Sequence, residues 1–261
     1  MKTVILCGGA GMRLREETEV KPKPMVPIGR RPILWHIMRA YAHHGFDEFV
    51  LCLGYKGAVI KQFFYDYEWL AHDFTVRPGQ PPVIHRDHEE ALDWTVTCAD
   101  TGRHADTGER IRRVRRHLDG DRFFVTYGDG VSDVDLAEVL RFHQARGKLA
   151  TLVAVRPSSR FGELTVDEDG VATSFREKPQ VDNGWINGGF MVFEAAALDW
   201  FKQGVGSLED GVLVPLAEAR QLAVFRHDGF WQCMDTHREM MLLQQLWDDG
   251  QAPWAVWRSG G

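Results

Sequence analysis

Lys2-Thr3-Val4-Ile5-Leu6 passes without a break into Cys7-Gly8-Gly9-Ala10-Gly11-Met12-Arg13-Leu14. A short apolar run rich in β-branched residues that empties into glycines reads as a buried strand followed by a tight loop. Gly8, Gly9 and Gly11 lack the Cβ atoms that would hold a bulky oxyanion away from the backbone, which leaves N–H groups to point at it. Arg13 adds a fixed fork of donors at the same place. Further on, Lys21-Pro22-Lys23-Pro24-Met25 sets two ammoniums on a chain stiffened by two prolines, an extended rather than helical pattern. The whole stretch suits the holding of a polyphosphate and the stabilisation of charge on it during a reaction.

The spacing also excludes. It matches neither Gly-x-Gly-x-x-Gly nor Gly-x-x-x-x-Gly-Lys-[Ser/Thr], so NAD held in the dehydrogenase manner and ATP held in a P-loop are both disfavoured. A glycine-rich loop after a first strand also occurs in α/β proteins that bind no nucleotide, so the loop alone leaves both readings open.

Outward from the loop, Ile33, Leu34, Ile37, Met38 and Tyr41 recur at helical spacing within residues 32–44, and residues 48–53 form a second apolar run. A helix between two apolar strands is a βαβ crossover, which makes a largely parallel sheet the natural core. Gly54-Tyr55-Lys56-Gly57 follows the second strand, and residues 59–69 resume a helical pattern. Residues 74–86 read as irregular, 94–98 as a strand, and a polar loop ends at Thr107-Gly108-Glu109-Arg110 before a helix over 111–117. A third strong strand, 122–127, ends in Gly128-Asp129-Gly130-Val131. A helix at 134–144, a strand at 150–155 and a hairpin over 162–166 and 171–175 follow. Residues 185–194 hold an Asn187-Gly188-Gly189 turn and an apolar strand, and helices at 198–202, 212–220 and 237–249 complete the chain.

The 261 residues are 44% apolar and 26% charged, enough for a substantial core. No repeat or low-complexity linker interrupts them, which favours one continuous domain over residues 1–261. A formal charge of −6 argues against a general nucleic-acid surface. Cys7, Cys52, Cys98 and Cys233 form no C-x-x-C pair and read as thiols of a reducing compartment. The amino-terminal apolar run is too short for a signal peptide, and no apolar window reaches a membrane span of about 18 residues, so a cytoplasmic protein is expected. Nine tryptophans are many, and some would cover a ligand or a subunit interface.

Asp129 is the sharpest single carboxylate: at the end of a buried strand it would lie on the ligand-bearing edge of a parallel sheet, where magnesium finds hard oxygen ligands. The alternative is a turn aspartate bonding its own backbone. Asp235 is a second candidate, with helix capping as its competitor. Glu177, Lys178 and Asn187 offer groups for a second phosphate and for sugar hydroxyls. The scattered histidines lack a helical metal spacing, which disfavours zinc.

These passages carry a resemblance that runs essentially end to end. Gly8 to Leu14, Glu16-Glu17-Thr18, Val20 to Met25, Pro32 to Met38, Gly54 to Gly57, Thr126 to Val131, Phe175 to Pro179, Ile186 to Phe190 and Phe230 to Thr236 resemble the sugar-phosphate nucleotidyltransferases. Within them the match is to the glucose-1-phosphate cytidylyltransferase branch. The resemblance implies a Rossmann-like α/β nucleotidyltransferase fold, with a predominantly parallel mixed sheet and a small antiparallel addition. It implies formation of CDP-glucose and pyrophosphate from CTP and α-D-glucose 1-phosphate, supplying deoxysugars often destined for bacterial O-antigen. It places Gly8, Gly9, Gly11, Met12 and Arg13 at the nucleotide phosphates, with Leu6, Cys7 and Ala10 in the same stretch. Lys23 falls near the reacting centre, Thr107 and Arg110 in a flexible nucleotide loop, and Gly128 near the nucleoside. Asp129 and Asp235 would hold Mg2+, and Glu177, Lys178, Asn187 and Gly188 would line the sugar-phosphate pocket. Arg13, Lys23 and Asp129 would carry the chemistry. A homo-oligomer is implied, with no nucleic-acid or membrane partner. UTP or dTTP, another sugar or alcohol phosphate, and a catalytically silent nucleotide-binding protein are the alternatives. Two departures stand out: Met12 where relatives often carry threonine, and Asp106 and Glu109 beside the presumed polyphosphate loop, facing either the ligand or water.

Overall fold

A computed structural model describes residues 1–9, 14, 18–85, 92–157, 163–166, 172–176 and 184–258, with 163–166 and 172–176 described as backbone only. Seven strands form the central sheet: Thr3–Cys7 (β1), Glu48–Leu53 (β2), Thr95–Asp100 (β3), Arg122–Tyr127 (β4), Ala150–Val155 (β5), Ile186–Glu194 (β6) and Leu222–His227 (β7). Their order is β7-β5-β6-β4-β1-β2-β3. β1 pairs in parallel with β2 and β4, β2 with β3, and β5 with β7, whereas β6 runs antiparallel to both β4 and β5.

The apolar runs of these strands follow from burial on both faces. Neighbouring residues point to opposite sides of a pleated strand. Val4, Val50 and Val125 accordingly meet Ile111, Met191, Phe193 and Leu216 on one face. Ile5, Leu51 and Phe124 meet Leu34, Met38 and Tyr41 on the other. Fully burying each such aliphatic or aromatic side chain contributes about 2 kcal/mol. Ile33–His43 (α1) and Gly57–Tyr65 (α2) follow β1 and β2, and Thr107–Val114 (α3) follows β3. Leu136–Arg146 (α4) is capped by Asp135, which accepts from the Glu138 N–H at 2.9 Å. His237–Asp248 (α5) begins at a capping box in which Thr236 and Glu239 satisfy each other's backbone N–H groups.

The chain order reverses between β1 and β4, so the loops leaving their carboxyl ends diverge and open a crevice at the sheet edge. That crevice is where Cys7-Gly8 and Gly128-Asp129 emerge.

Several expectations are corrected. Residues 74–85 are not irregular throughout, because Asp73–Thr75 pairs antiparallel with Val83–His85. The helix expected at 111–117 begins at Thr107, where Asp106 caps it by accepting from the Thr107 N–H, so Thr107 and Arg110 lie in a first helical turn rather than a loop. Asn187-Gly188-Gly189 is not a turn. It lies inside β6, where a register shift opposite Leu152 and Ala154 absorbs the irregularity and Gly189 takes a φ of 82°. The helical pattern at 59–69 breaks at Asp66, and residues 195–200 form a 3-10 helix. β7 was not expected: its short apolar run is half exposed at the sheet edge and follows directly on helical residues. No described helix is long and apolar enough to cross a membrane. All four cysteines are free thiols, and burial pushes Cys52 up to about 12.

Candidate active site

The crevice holds a cleft of about 400 Å³ lined by Leu6, Cys7, Gly8, Gly9, Lys23, Thr107, Arg110, Gly128, Asp129 and Asp235. These ten positions, named from sequence on five separate segments, are thus brought together. A neighbouring hollow of about 220 Å³ is lined by Asn187 and Gly188 together with Tyr127, Asp129, Trp231 and Asp235. Tyr127, Asp129 and Asp235 belong to both, so they form the wall between the two spaces. Ala10, Gly11, Met12, Arg13, Glu177 and Lys178 lie outside the described residues.

Lys23 lines the larger cleft and is bonded to two of these wall residues. It sits on a single turn, Lys23–Met25, held by Pro22 and Pro24, and is 8% exposed. Its ammonium donates to Asp129 Oδ2 at 2.7 Å and to Asp235 Oδ1. Burial works against the charge, but Asp129 and then Asp235 outweigh it and hold the pKa above the ordinary lysine value.

Backbone pairing explains why the two acids meet. Gly130–Ser132 pairs antiparallel with Trp231–Cys233, and the Met234 N–H donates to the Asp129 carbonyl at 2.8 Å. Thr236 takes the capping role that competed for Asp235, leaving the Asp235 carboxylate turned to Lys23. Two convergent carboxylates on an open cleft are hard oxygen donors of the kind that bind Mg2+ while substrate phosphates and water complete its shell. No larger cluster of metal-ligating side chains occurs among the described residues. Asp129 and Asp235, now bridged by the Lys23 ammonium, are thus the residues that could hold a metal ion if ligand oxygens and water supplied the rest of its shell.

Arg110 is 4% exposed, and its guanidinium is spent on the protein. Nη1 donates to the Leu53 carbonyl at 3.2 Å, Thr101 Oγ1 at 2.8 Å and the Gly102 carbonyl at 2.8 Å, while Nη2 reaches the Gly8 carbonyl at 3.0 Å. Burial lowers its pKa, but a guanidinium in protein keeps its charge. Arg110 thus braces the start of the glycine loop from beneath. A Cβ on Gly8 would lie 2.2 Å from Arg110 Cζ, so only glycine permits that approach. The Thr107 hydroxyl is likewise engaged, accepting from the Leu208 N–H at 2.7 Å.

Glu109 faces its own helix. Arg112, donating at 2.6 and 2.7 Å, and Arg113, donating at 2.8 Å, hold its carboxyl at about 2 instead of the ordinary 4.5. A depressed carboxyl contributes stability in full above pH 4.5 and loses it as the pH falls toward 2. Glu109→Gln is therefore expected to flatten this part of the acid limb. Urea unfolding at pH 6 and pH 3 checks it, the wild-type protein losing more stability between the two than the variant.

On the wall of the smaller hollow, Tyr127 donates its hydroxyl to Glu209, and Trp231 Nε1 donates to the Gly188 carbonyl at 2.7 Å. Burial, then Glu209, raises the Tyr127 pKa, so the phenol stays protonated. Cys233 is pushed up to about 12 by burial and the nearby acids, which keeps it a thiol. Sequence reasoning missed Tyr127 and Trp231 as wall residues, although Tyr127 directly precedes Gly128 and Trp231 lies in the same aromatic passage as Asp235.

Known proteins match this arrangement along the chain. The family described as Nucleotidyl transferase matches residues 2–232. The glucose-1-phosphate cytidylyltransferase of Salmonella typhi is 46% identical over 259 residues, covering 98% of this chain and 100% of that protein. The "Probable glucose-1-phosphate cytidylyltransferase" of Bacillus subtilis is 42% identical over 258 residues, covering 98% of this chain and all (100%) of that protein. The crystal structure of HddC from Yersinia pseudotuberculosis superimposes with a TM-score of 0.66 at 19% identity, over 94% of this chain and 99% of the other, a likeness of fold. With a match that spans most of its length and relatives of this identity, the chain belongs to the nucleotidyl transferase family.

Proposed function

We propose that the protein transfers a cytidylyl group from CTP to α-D-glucose 1-phosphate, forming CDP-glucose and pyrophosphate. The observation that carries this reading is Lys23 in the larger cleft, bonded to two carboxylates on the wall that this cleft shares with the smaller hollow. A reaction joining two anionic substrates needs positive charge at their meeting point; Lys23 with its two carboxylates is net negative, and a bound Mg2+ would turn the cluster net positive. End-to-end similarity to proteins named as glucose-1-phosphate cytidylyltransferases supports the choice of base and sugar.

In this account a phosphate oxygen of glucose 1-phosphate attacks the α-phosphorus of CTP in line. A new P–O bond forms, the bond from the α-phosphorus to the bridging oxygen breaks, and pyrophosphate leaves with that electron pair. The attacking oxygen is already anionic near neutral pH, so no protein base is required. Asp129 and Asp235 would hold Mg2+, which when bound supplies further neutralisation of phosphate charge. Lys23 then turns from the carboxylates to the α-phosphate, and Arg13 with the loop amides hold the leaving group. Asn187 and Gly188, together with Glu177 and Lys178, receive the sugar phosphate.

A matrix of CTP, UTP, dTTP, ATP and GTP against glucose 1-phosphate, mannose 1-phosphate and an alcohol phosphate tests the assignment by initial rates of pyrophosphate release. The expected result is a maximum at CTP with glucose 1-phosphate, lost on chelation of divalent cations. A maximum at another pair would replace the substrates, and no release in any cell would remove the activity.

A further inference from the structure

The turn Gly54–Gly57 touches both ends of the glycine-rich loop. At the leading end, the Tyr55 N–H donates to the Gly8 carbonyl at 3.2 Å. At the trailing end, the Tyr55 hydroxyl donates to the Thr18 carbonyl at 3.3 Å, and Lys56 Nζ donates to the Thr18 carbonyl at 3.2 Å and to the Glu19 carbonyl. The Lys56 ammonium also lies 5.1 Å from the Tyr55 ring centroid, so the two side chains support each other. Gly54 allows the turn to come this close, since a Cβ there would stand 2.5 Å from Arg110 Nη1 and 2.8 Å from the Gly8 carbonyl oxygen.

Lys56 holds a φ of 50° and a ψ of 31°, left-handed backbone that favours glycine. Among the described residues only Arg220 shares a positive φ without being glycine. A glycine at position 56 would relieve the backbone at no steric cost but would bring no ammonium. Strain retained at one residue points to a use for its side chain, and here that side chain ends on two carbonyls of the loop's far arm.

We infer that Tyr55 and Lys56 are positioning residues that tie Gly8 to Thr18 and Glu19 and so hold the two ends of the glycine-rich loop at the spacing a nucleoside triphosphate needs. The inference rests on the reading of that loop as the triphosphate holder. A loop fixed at both ends before the ligand arrives loses less freedom on binding, which raises affinity without touching the chemical step. Arg110 fixes the Gly8 carbonyl from below and the turn fixes it from the side, while at the trailing end Tyr55 and Lys56 both reach the Thr18 carbonyl.

Lys56→Gly separates the ammonium from the backbone, because it relaxes the left-handed residue and folds at least as well as the parent. The expected result is a KM for CTP raised about tenfold with kcat within about twofold. Amide exchange at Thr18, Glu19 and Val20 accelerates in the ligand-free variant. Lys56→Arg, which keeps a cation in reach of the same carbonyls, restores both readouts, and Tyr55→Phe reproduces part of the loss. An unchanged KM together with unchanged exchange at residues 18–20 in Lys56→Gly would overturn the clamp, as would a fall in kcat with KM untouched. If the parent protein turns over no CTP, the substrate reading fails by itself. The exchange measurement then decides the clamp alone: acceleration supports it and no change overturns it.

Discussion

Lys23→Ala is expected to lower turnover about a hundredfold, equivalent to about 3 kcal/mol of lost transition-state stabilisation, with the fold retained. The effect falls on kcat because the ammonium is asked to serve charge that develops at the α-phosphate rather than to hold the ground state. Removing it leaves Asp129 and Asp235 facing each other. Their side chains are 32% and 23% exposed, so water screens the repulsion and global unfolding is not expected. Lys23→Arg keeps the charge on a planar fork that cannot reproduce a compact ammonium, and recovery is expected to be partial. Steady-state pyrophosphate release, with near-ultraviolet circular dichroism as the check on folding, decides the matter. Near-parental turnover in a folded Lys23→Ala protein would contradict the role.

Arg110→Ala is expected to cost about 3 kcal/mol of stability, the largest structural loss of any substitution in the cleft. The side chain is buried, and its fork ends on carbonyls from three separate segments, at Gly8, Leu53 and Gly102. Truncation removes one donor from each of those carbonyls, leaving Gly8 with the Tyr55 N–H and Leu53 with the Thr101 N–H, and empties the space beneath the loop at once. Lysine is a poor replacement, since a single ammonium cannot reach acceptors arranged around a planar group. Urea unfolding measures the difference, and a loss below about 1 kcal/mol would show that water replaces the guanidinium readily. KM for the nucleotide is expected to rise in the same variant, because the Gly8 carbonyl loses one of its two anchors.

Much of the sheet is legible in the sequence. Residues 2–6, 48–53, 122–127 and 150–155 are apolar runs whose burial on both faces demands their composition, and the glycines after the first and third mark where a ligand edge opens. Asn187-Gly188-Gly189 misled because its local turn signal is strong, yet pairing of β6 with both β4 and β5 overrides it. β7 was hidden by its half-exposed edge position. In the site, Asp129 was readable from its strand-end glycines, whereas Asp235 stayed ambiguous beside a helix start. Thr236 followed by Glu239 is a capping-box pattern, and it frees the neighbouring acid. The opposite held for Arg110. Its place near the nucleotide loop was anticipated, but a guanidinium committed to backbone carbonyls depends on which loops the sheet brings together. Tyr127 and Trp231 were missed for the same reason: their role as a wall exists only once the Trp231–Cys233 strand pairs with Gly130–Ser132, just beyond the end of β4.

Phosphorus NMR of the folded protein mixed with CTP, glucose 1-phosphate and Mg2+ asks directly whether distant segments join two anions at Lys23. The expected spectrum gains the paired signals of a sugar diphosphate nucleoside and the single signal of pyrophosphate, while both substrates decline together. Substrate signals that stay unchanged over hours of incubation, with the protein still folded, would contradict it.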